Sequence, residues 1–128
     1  MGKTSIIRNY INENETQKWP SISLPFYKKN IIIDGQLIKL QLWDSAKSEK
    51  AQNMIISFKL IAHGILLIFD LTNKSSFDRM EDIINIILKH FTDPKFPIVL
   101  LGNKSDLVNQ RKVCQEDIEK FSIKYNLH

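Results

Sequence analysis

The sequence has few of the features that mark secreted or membrane-spanning proteins. Its one cysteine, Cys114, cannot form an internal disulfide, which is typical of a reducing compartment. No apolar run approaches the roughly 20 residues that a membrane span needs. The first residues also lack the apolar stretch of a secretory signal. We therefore expect a cytoplasmic protein.

The polar residues form neither a metal-ligand pattern nor a nucleic-acid-binding stripe. The histidines, at His63, His90 and His128, do not have metal-ligand spacing. The net charge of +4 makes nucleic-acid binding one hypothesis. However, the basic residues are scattered in short pairs, such as Lys28–Lys29 and Arg111–Lys112, without interleaved aromatic residues. A solvated basic surface explains this pattern better, and we expect no nucleic-acid partner.

What is present is typical of one globular domain. The chain has 128 residues, of which 43% are hydrophobic and 25% are charged. The runs "GILLIFDL" and "PIVLLGN" are almost wholly apolar, as in strands buried on both faces of a parallel sheet. The segment "FYKKNIIIDGQLIKLQLW" is typical of a β-hairpin that turns at Asp34-Gly35. Between hairpin and first helix, "NENETQKWPSISLP" is predicted to be irregular.

Apolar stripes at helical spacing predict the helices between these strands. Ser75 and Asp78 resemble a capping box that opens the helix between the two apolar strands. The order is helix, two strands, helix, strand, helix, strand, helix, which indicates an α/β fold. We expect an open, mostly parallel sheet with crossover helices in a single domain over residues 1–128. The stripe residues of the long and last helices are Phe77, Met80, Ile84, Ile87, Phe91, Ile118, Phe121, Ser122 and Tyr125.

A first polar cluster, Gly2-Lys3-Thr4-Ser5, stands at the predicted start of the first helix. There, free backbone N–H groups and the positive end of the helix dipole favour a phosphate. The Lys3 ammonium could reach terminal phosphates, and the Thr4 hydroxyl could hold Mg²⁺. Alone, this match is weak because Gly-Lys-Thr occurs by chance in many proteins.

Two further clusters end apolar strands, where ligands bind in α/β sheets. Asp44 follows "LQLW" and could hold magnesium through its water shell or cap a helix. Asn103-Lys104-Ser105-Asp106 closes "IVLLG". The Asp106 carboxylate could accept hydrogen bonds from N1 and N2 of guanine, a donor pattern that adenine lacks. The Asn103 amide suits the opposite edge of the base, and the Lys104 stem could cover its face, although a plain turn is the alternative.

The three clusters occur in the order found in the Ras-like small GTPases, and the chain most closely resembles the Rab branch. The resemblance covers essentially the whole chain and is carried by "KLQLWDSA", "AHGILLIFDLTNKSSF" and "LLGNKSDL". It implies a P-loop small-GTPase fold, GTP or GDP with Mg²⁺ as cofactors, and effector and regulator proteins at the switch regions. It implies nucleotide binding by Gly2, Lys3, Thr4, Ser5, Asn103, Lys104 and Asp106, and metal binding by Thr4, Ser21 and Asp44.

The chain departs from the family around its expected catalytic segment. Where the family has Asp-Thr-Ala-Gly-Gln-Glu, this chain has "DSAKSE". Ser48 stands in place of the glutamine that orients the attacking water, and Lys47 replaces a glycine. We therefore assign no catalytic residue and expect GTP hydrolysis to be slow or lost. Ser21 is placed by counting back from the hairpin, and an ordinary loop residue is the alternative there.

The resemblance also implies that the chain is incomplete. The front of the phosphate loop and the family's first and last strands are missing, so we expect a fragment or a mispredicted start. With no C-terminal cysteine to prenylate, we expect no membrane anchor in this chain, and endomembrane association would require a prenylated full-length protein. We expect a Rab-like GTP/GDP switch in vesicle trafficking. The alternative is a non-catalytic pseudo-GTPase interaction module, or a gene fragment that no longer binds nucleotide tightly.

Overall fold

A computed structural model describes residues 2–11, 16–17, 26–45 and 51–128 of the chain. It divides the chain into two compact units, Gly2–Ser48 and Glu49–His128. The expectation of one incomplete domain over residues 1–128 stays a prediction from the sequence. None of the helices in the described ranges has the length and hydropathy that a bilayer span requires.

The Gly2–Ser48 unit contains helix α1 (Lys3–Ile11) and an antiparallel sheet of β1 (Thr16–Gln17), β2 (Phe26–Ile33) and β3 (Gln36–Trp43), in the order β1-β2-β3. The hairpin predicted from the sequence is therefore confirmed. Asp34 and Gly35 make its turn with φ values of 49° and 76°. Two successive left-handed residues match the right-handed twist of paired strands, which is why Asp-Gly favours this turn. The two-residue strand β1 lies in the stretch that we expected to be irregular.

Apolar and aromatic contacts hold the hairpin beside α1. Phe26 stacks on Trp43 with ring centroids 4.7 Å apart, directly across the register of β2 and β3. Ile11, the last residue of α1, is buried along with Phe26 and Tyr27. The Lys29 ammonium donates a hydrogen bond to the Tyr10 carbonyl oxygen. The same ammonium lies 4.0 Å from the centre of the Tyr10 ring. These contacts connect α1 to β2.

The Glu49–His128 unit is a parallel strand pair with helices. Its elements are α2 (Ala51–Phe58), β4 (Ile65–Asp70), α3 (Lys74–His90), β5 (Ile98–Asn103), a short 3-10 helix (Val108–Gln110) and α4 (Gln115–Tyr125). β4 and β5 run parallel, from Ile65 opposite Ile98 to Asp70 opposite Asn103. α3 is the crossover between them, as parallel neighbours require. The predicted α/β class, with apolar parallel strands joined by a helix, is confirmed.

The core of this unit is the apolar stripe of α3 against β4. Ile84 and Phe69 are 0% exposed, and Ile87 is 1% exposed. All five stripe residues predicted for α3 are buried: Phe77, Met80, Ile84, Ile87 and Phe91. Gly102 allows β5 to approach this core, because a Cβ on it would lie 3.0 Å from Leu71 Cδ2. The polar residues Asp70 and Asn103 end β4 and β5 beside this core.

The predicted capping box of α3 is wrong. The helix begins at Lys74, and its N-cap is Asn73, whose side chain accepts a hydrogen bond of 3.3 Å from Ser76 N. Asparagine is as strong an N-cap residue as serine, and here it comes first along the chain. Ser75, the predicted cap, is exposed inside the first turn of the helix.

Candidate functional site

The first group of candidate residues lies at the start of α1. Gly2 has a φ of 83°, a left-handed conformation that glycine adopts without steric strain, and its carbonyl accepts a hydrogen bond of 3.0 Å from Ile6 N. The first amides of an α-helix have no acceptor within the helix, so this end attracts anions. Lys3 and Thr4 are half-buried and Ser5 is exposed. The start of α1 can therefore offer backbone donors, an ammonium and hydroxyls to a phosphate.

Asp44 follows β3 and meets α1 through Thr4. The Thr4 hydroxyl donates a hydrogen bond to Asp44 Oδ2. The residue is only 1% exposed, and its Oδ1 has no hydrogen-bond partner among the described residues. Among the described residues, Asp44 contacts the Thr4 hydroxyl. The amides that a helix cap would bind follow Ser45 and lie outside the described residues, so the helix-cap alternative is not tested.

The donor set around Asp44 fits a magnesium ion. A buried carboxylate oxygen without a partner is costly, and a cation beside it offsets that cost. Carboxylate and hydroxyl oxygens are ligands that Mg²⁺ accepts, usually with water and phosphate oxygens completing its shell. No group of three or more His, Cys, Asp or Glu side chains converges within the described ranges. Thr4 and Asp44 are therefore the metal-ligand candidates there, and Ser21, the third predicted ligand, lies outside the described residues.

The second group of candidate residues forms one tight turn at the carboxyl end of β5. Asn103 is the last residue of the strand, and its Oδ1 accepts a hydrogen bond of 2.8 Å from Lys104 N. Lys104 has a φ of 64°, which reverses the chain, and its carbonyl accepts a hydrogen bond of 3.1 Å from Leu107 N. Asp106 is exposed in this turn. The structure thus brings Asn103, Lys104 and Asp106 together, while Thr4 and Asp44 meet within the other unit.

A further residue, Asp70, contacts this turn and was missed in the sequence. It ends β4 directly opposite Asn103, and its Oδ2 lies 2.6 Å from Lys104 Nζ. Its Oδ1 accepts hydrogen bonds from Thr72 N at 2.9 Å and Thr72 Oγ1 at 2.6 Å. The sequence did contain a signal, since Asp70 ends the apolar run "LLIF" as Asp44 ends "LQLW".

The contacts of Asp70 favour its charged form. The Lys104 ammonium and the Thr72 donors lower the pKa of Asp70 from 3.8 to about 2, against the opposing effect of burial. Because the folded pKa is the lower one, the unfolded chain binds more protons between these values. The stabilisation by Asp70 is therefore complete at neutral pH and is lost as the pH falls through the folded value.

We accordingly expect Asp70→Asn to destabilise the chain at neutral pH but not in strong acid. The expected loss is about 1 kcal/mol, because the Lys104 ammonium is partly exposed to water and screened by it. Urea unfolding of both proteins between pH 7 and pH 2 measures the difference. The difference should narrow as the pH falls through 3.8, where the wild-type carboxylate is half protonated in the unfolded state. A difference that stays constant down to pH 2 would contradict the assigned cause.

The Gly-Lys-Thr helix start, the aspartate after β3 and the Asn-Lys-x-Asp turn after the parallel strand β5 are the features expected of the small P-loop α/β fold class. Comparison with known proteins agrees, since the Ras family model matches residues 1–128. The chain belongs to the Ras family, and its similarity to Rab proteins makes it Rab-like, as predicted.

The similar proteins come from distant organisms. The chain is 36% identical over 107 residues to Ras-related protein Rab-26 of Bos taurus, covering 84% of this chain and 41% of that protein. It is 32% identical over 128 residues to Rab11A of Lotus japonicus, covering 99% and 56%. It is 34% identical over 125 residues to Rab-7a of Paramecium octaurelia, covering 94% and 61%. The chain therefore spans 41–61% of the length of these relatives.

Proposed function

We propose that this chain is a Rab-like guanine-nucleotide switch that binds GTP or GDP with Mg²⁺. The observation that carries the proposal is the buried Asp44 Oδ1, which has no partner among the described residues while its neighbour Oδ2 accepts from Thr4. A buried carboxylate beside a hydroxyl can bind Mg²⁺, and the adjacent helix N-terminus can bind the phosphate that coordinates the same ion. Gly2, Lys3, Thr4 and Ser5 would take the phosphates.

The turn after β5 would take the base. Asp106 is exposed, so its carboxylate is accessible to a base, and Asn103 and Lys104 precede it in the same turn. Guanine offers donors at N1 and N2, whereas adenine presents an amino donor at C6 and an unprotonated N1. The family match over residues 1–128 supports nucleotide binding as the function of each group of residues.

The biological role follows the Rab relatives. We propose effector and regulator proteins as partners of the GTP-bound form, and a trafficking role at endomembranes for the full-length protein. Ser21, Lys47 and Ser48 lie outside the described residues. The Ser21 metal contact and slow or lost hydrolysis therefore stay predictions from the sequence.

A non-catalytic interaction module is the second candidate function. Apolar side chains are exposed near the end of the β2–β3 hairpin, with Ile32 74% and Leu37 65% exposed. Such side chains favour contact with another protein. Lys47 and Ser48, which replace the family's glycine and glutamine, also favour a non-catalytic function.

Nucleotide titration separates the two candidates. We expect a fluorescent GDP analogue to bind the purified chain in excess MgCl₂ and to be displaced by unlabelled GDP at least ~10-fold better than by ADP. Replacing MgCl₂ with EDTA should weaken the binding, because the Asp44 carboxylate then faces the phosphates without a cation. The absence of saturable binding, or equal displacement by ADP, would favour the interaction module and overturn the proposal.

A further inference from the structure

The ion pair between Lys104 and Asp70 differs from the other ion pairs of the described residues. The Asp70 side chain is 7% exposed, although Lys104 is 41% exposed. In the Lys124–Glu81 pair, which joins α4 to α3, both side chains are half-exposed, at 60% and 51%. Exposed ion pairs contribute little to stability. A buried carboxylate is held in place by its neighbours, so it can restrict the position of the flexible lysine that pairs with it.

The surrounding contacts hold Asp70 rigidly. Its Oδ1 is occupied by two donors of Thr72, which leaves Oδ2 facing Lys104. Its backbone N–H donates to Ser76 Oγ at 2.9 Å, which ties the end of β4 to the first turn of α3. The carboxylate therefore has one orientation, and that orientation is set by the core elements β4 and α3.

Lys104 is consequently held at both ends. Its backbone is fixed in a left-handed conformation by the bond from Lys104 N to Asn103 Oδ1, and its ammonium is fixed by Asp70. A free lysine side chain has large rotamer entropy, which is lost when a ligand orders it. When the lysine is already ordered in the free protein, ligand binding does not incur this loss of side-chain entropy.

We propose that Asp70 is a positioning residue for base binding. It orders the aliphatic stem of Lys104 before the nucleotide arrives, so that the stem forms a ready surface against the face of the base. The inference rests on the proposed function, in which the turn Asn103–Asp106 binds the base. Because the stem contacts the face and not the hydrogen-bonding edge, its ordering helps every purine equally.

Substitution of Asp70 tests this role through affinity and base selectivity together. Asp70→Asn should weaken GDP binding to the chain by about three- to tenfold, the range expected from ordering one long side chain. Binding of IDP, which lacks the 2-amino group, should weaken by the same factor. Glu81→Gln is the control, because it removes the charge from a carboxylate–lysine pair elsewhere in the same unit, a more exposed one, and should leave both affinities unchanged.

A double-mutant cycle shows whether Asp70 acts through Lys104. Lys104→Met keeps an apolar stem but removes the ammonium, so adding Asp70→Asn to it should cost no further affinity. NMR relaxation of the Lys104 ε-CH₂ group in the nucleotide-free chain gives a second readout, and its order should fall in Asp70→Asn. Equal losses from Asp70→Asn in both backgrounds, or an unchanged Lys104 order, would overturn the inference.

Failure of the inference can be told from failure of the proposed function. A wild type that prefers GDP, with an Asp70→Asn variant that binds GDP as tightly, refutes the positioning role alone. A wild type with no preference for guanine refutes the proposed function, and the positioning role falls with it. A selective loss of GDP but not of IDP would assign Asp70 to the edge of the base and would also overturn the inference.

Discussion

Replacing Asp106 with asparagine is expected to turn the base preference of this chain from guanine to xanthine. The Asp106 carboxylate can accept from N1–H and the 2-amino group of guanine. Xanthine keeps N1–H but has a carbonyl at C2, so an amide can pair with it by accepting once and donating once. Losing one such bidentate pair and gaining another should change the ratio of GDP to XDP affinities by about 10²–10⁴.

Competition of GDP and XDP against a fluorescent nucleotide measures this ratio directly. Asp93→Asn is a suitable control, because Asp93 is likewise exposed in a loop of the same unit and accepts from Lys95 N at 2.9 Å. It should leave the ratio unchanged. If the Asp106→Asn chain still selects GDP over XDP as strongly as the wild type does, Asp106 does not form hydrogen bonds with the base.

Much of the fold could be predicted because its signals are local. The Asp34-Gly35 turn fixes the hairpin, since few dipeptides adopt two left-handed conformations in succession. The α3 stripe repeats at helical spacing, and the same spacing places all its members in the core. Likewise, an apolar run that stops at a polar residue marks the end of a strand, which correctly located Asp44 and Asn103.

The contacts that the sequence did not predict depend on pairing between distant segments. Asp70 and Lys104 meet because β4 and β5 pair in parallel with Asp70 opposite Asn103, a register that no local pattern specifies. The contact between Thr4 and Asp44 spans 40 residues, and the sequence placed both residues at a magnesium ion without predicting their direct hydrogen bond. The cap of α3 was missed for a different reason, since Asn73, Ser75 and Ser76 are all capable caps and the loop after β4 decides among them.

Asp44→Asn is expected to have opposite effects on the stability of the chain with and without metal. Without metal, the buried Oδ1 of Asp44 carries charge without a partner among the described residues, whereas an amide carries none. Removing that charge should stabilise the metal-free chain by only about 1 kcal/mol, because the amide NH2 group that replaces Oδ1 also lacks a partner, while the amide oxygen still accepts from Thr4. With GDP and Mg²⁺ bound, the same change removes a carboxylate that attracts the cation, so the stabilisation by ligand should largely disappear.

Urea unfolding with GDP, in EDTA and in excess MgCl₂, separates the two effects, and Asp82→Asn on the exposed face of α3 is the control. Wild type should gain stability when EDTA is replaced by MgCl₂, the control should gain as much, and Asp44→Asn should gain little. The gain reports binding to the folded state, so it does not depend on turnover. An Asp44→Asn chain that is less stable in EDTA and gains as much from MgCl₂ would mean that Asp44 is a structural hydrogen-bond acceptor for Thr4 and not a metal site. The reversal of sign is therefore the decisive observation, because a residue that only supports the fold would weaken both states alike.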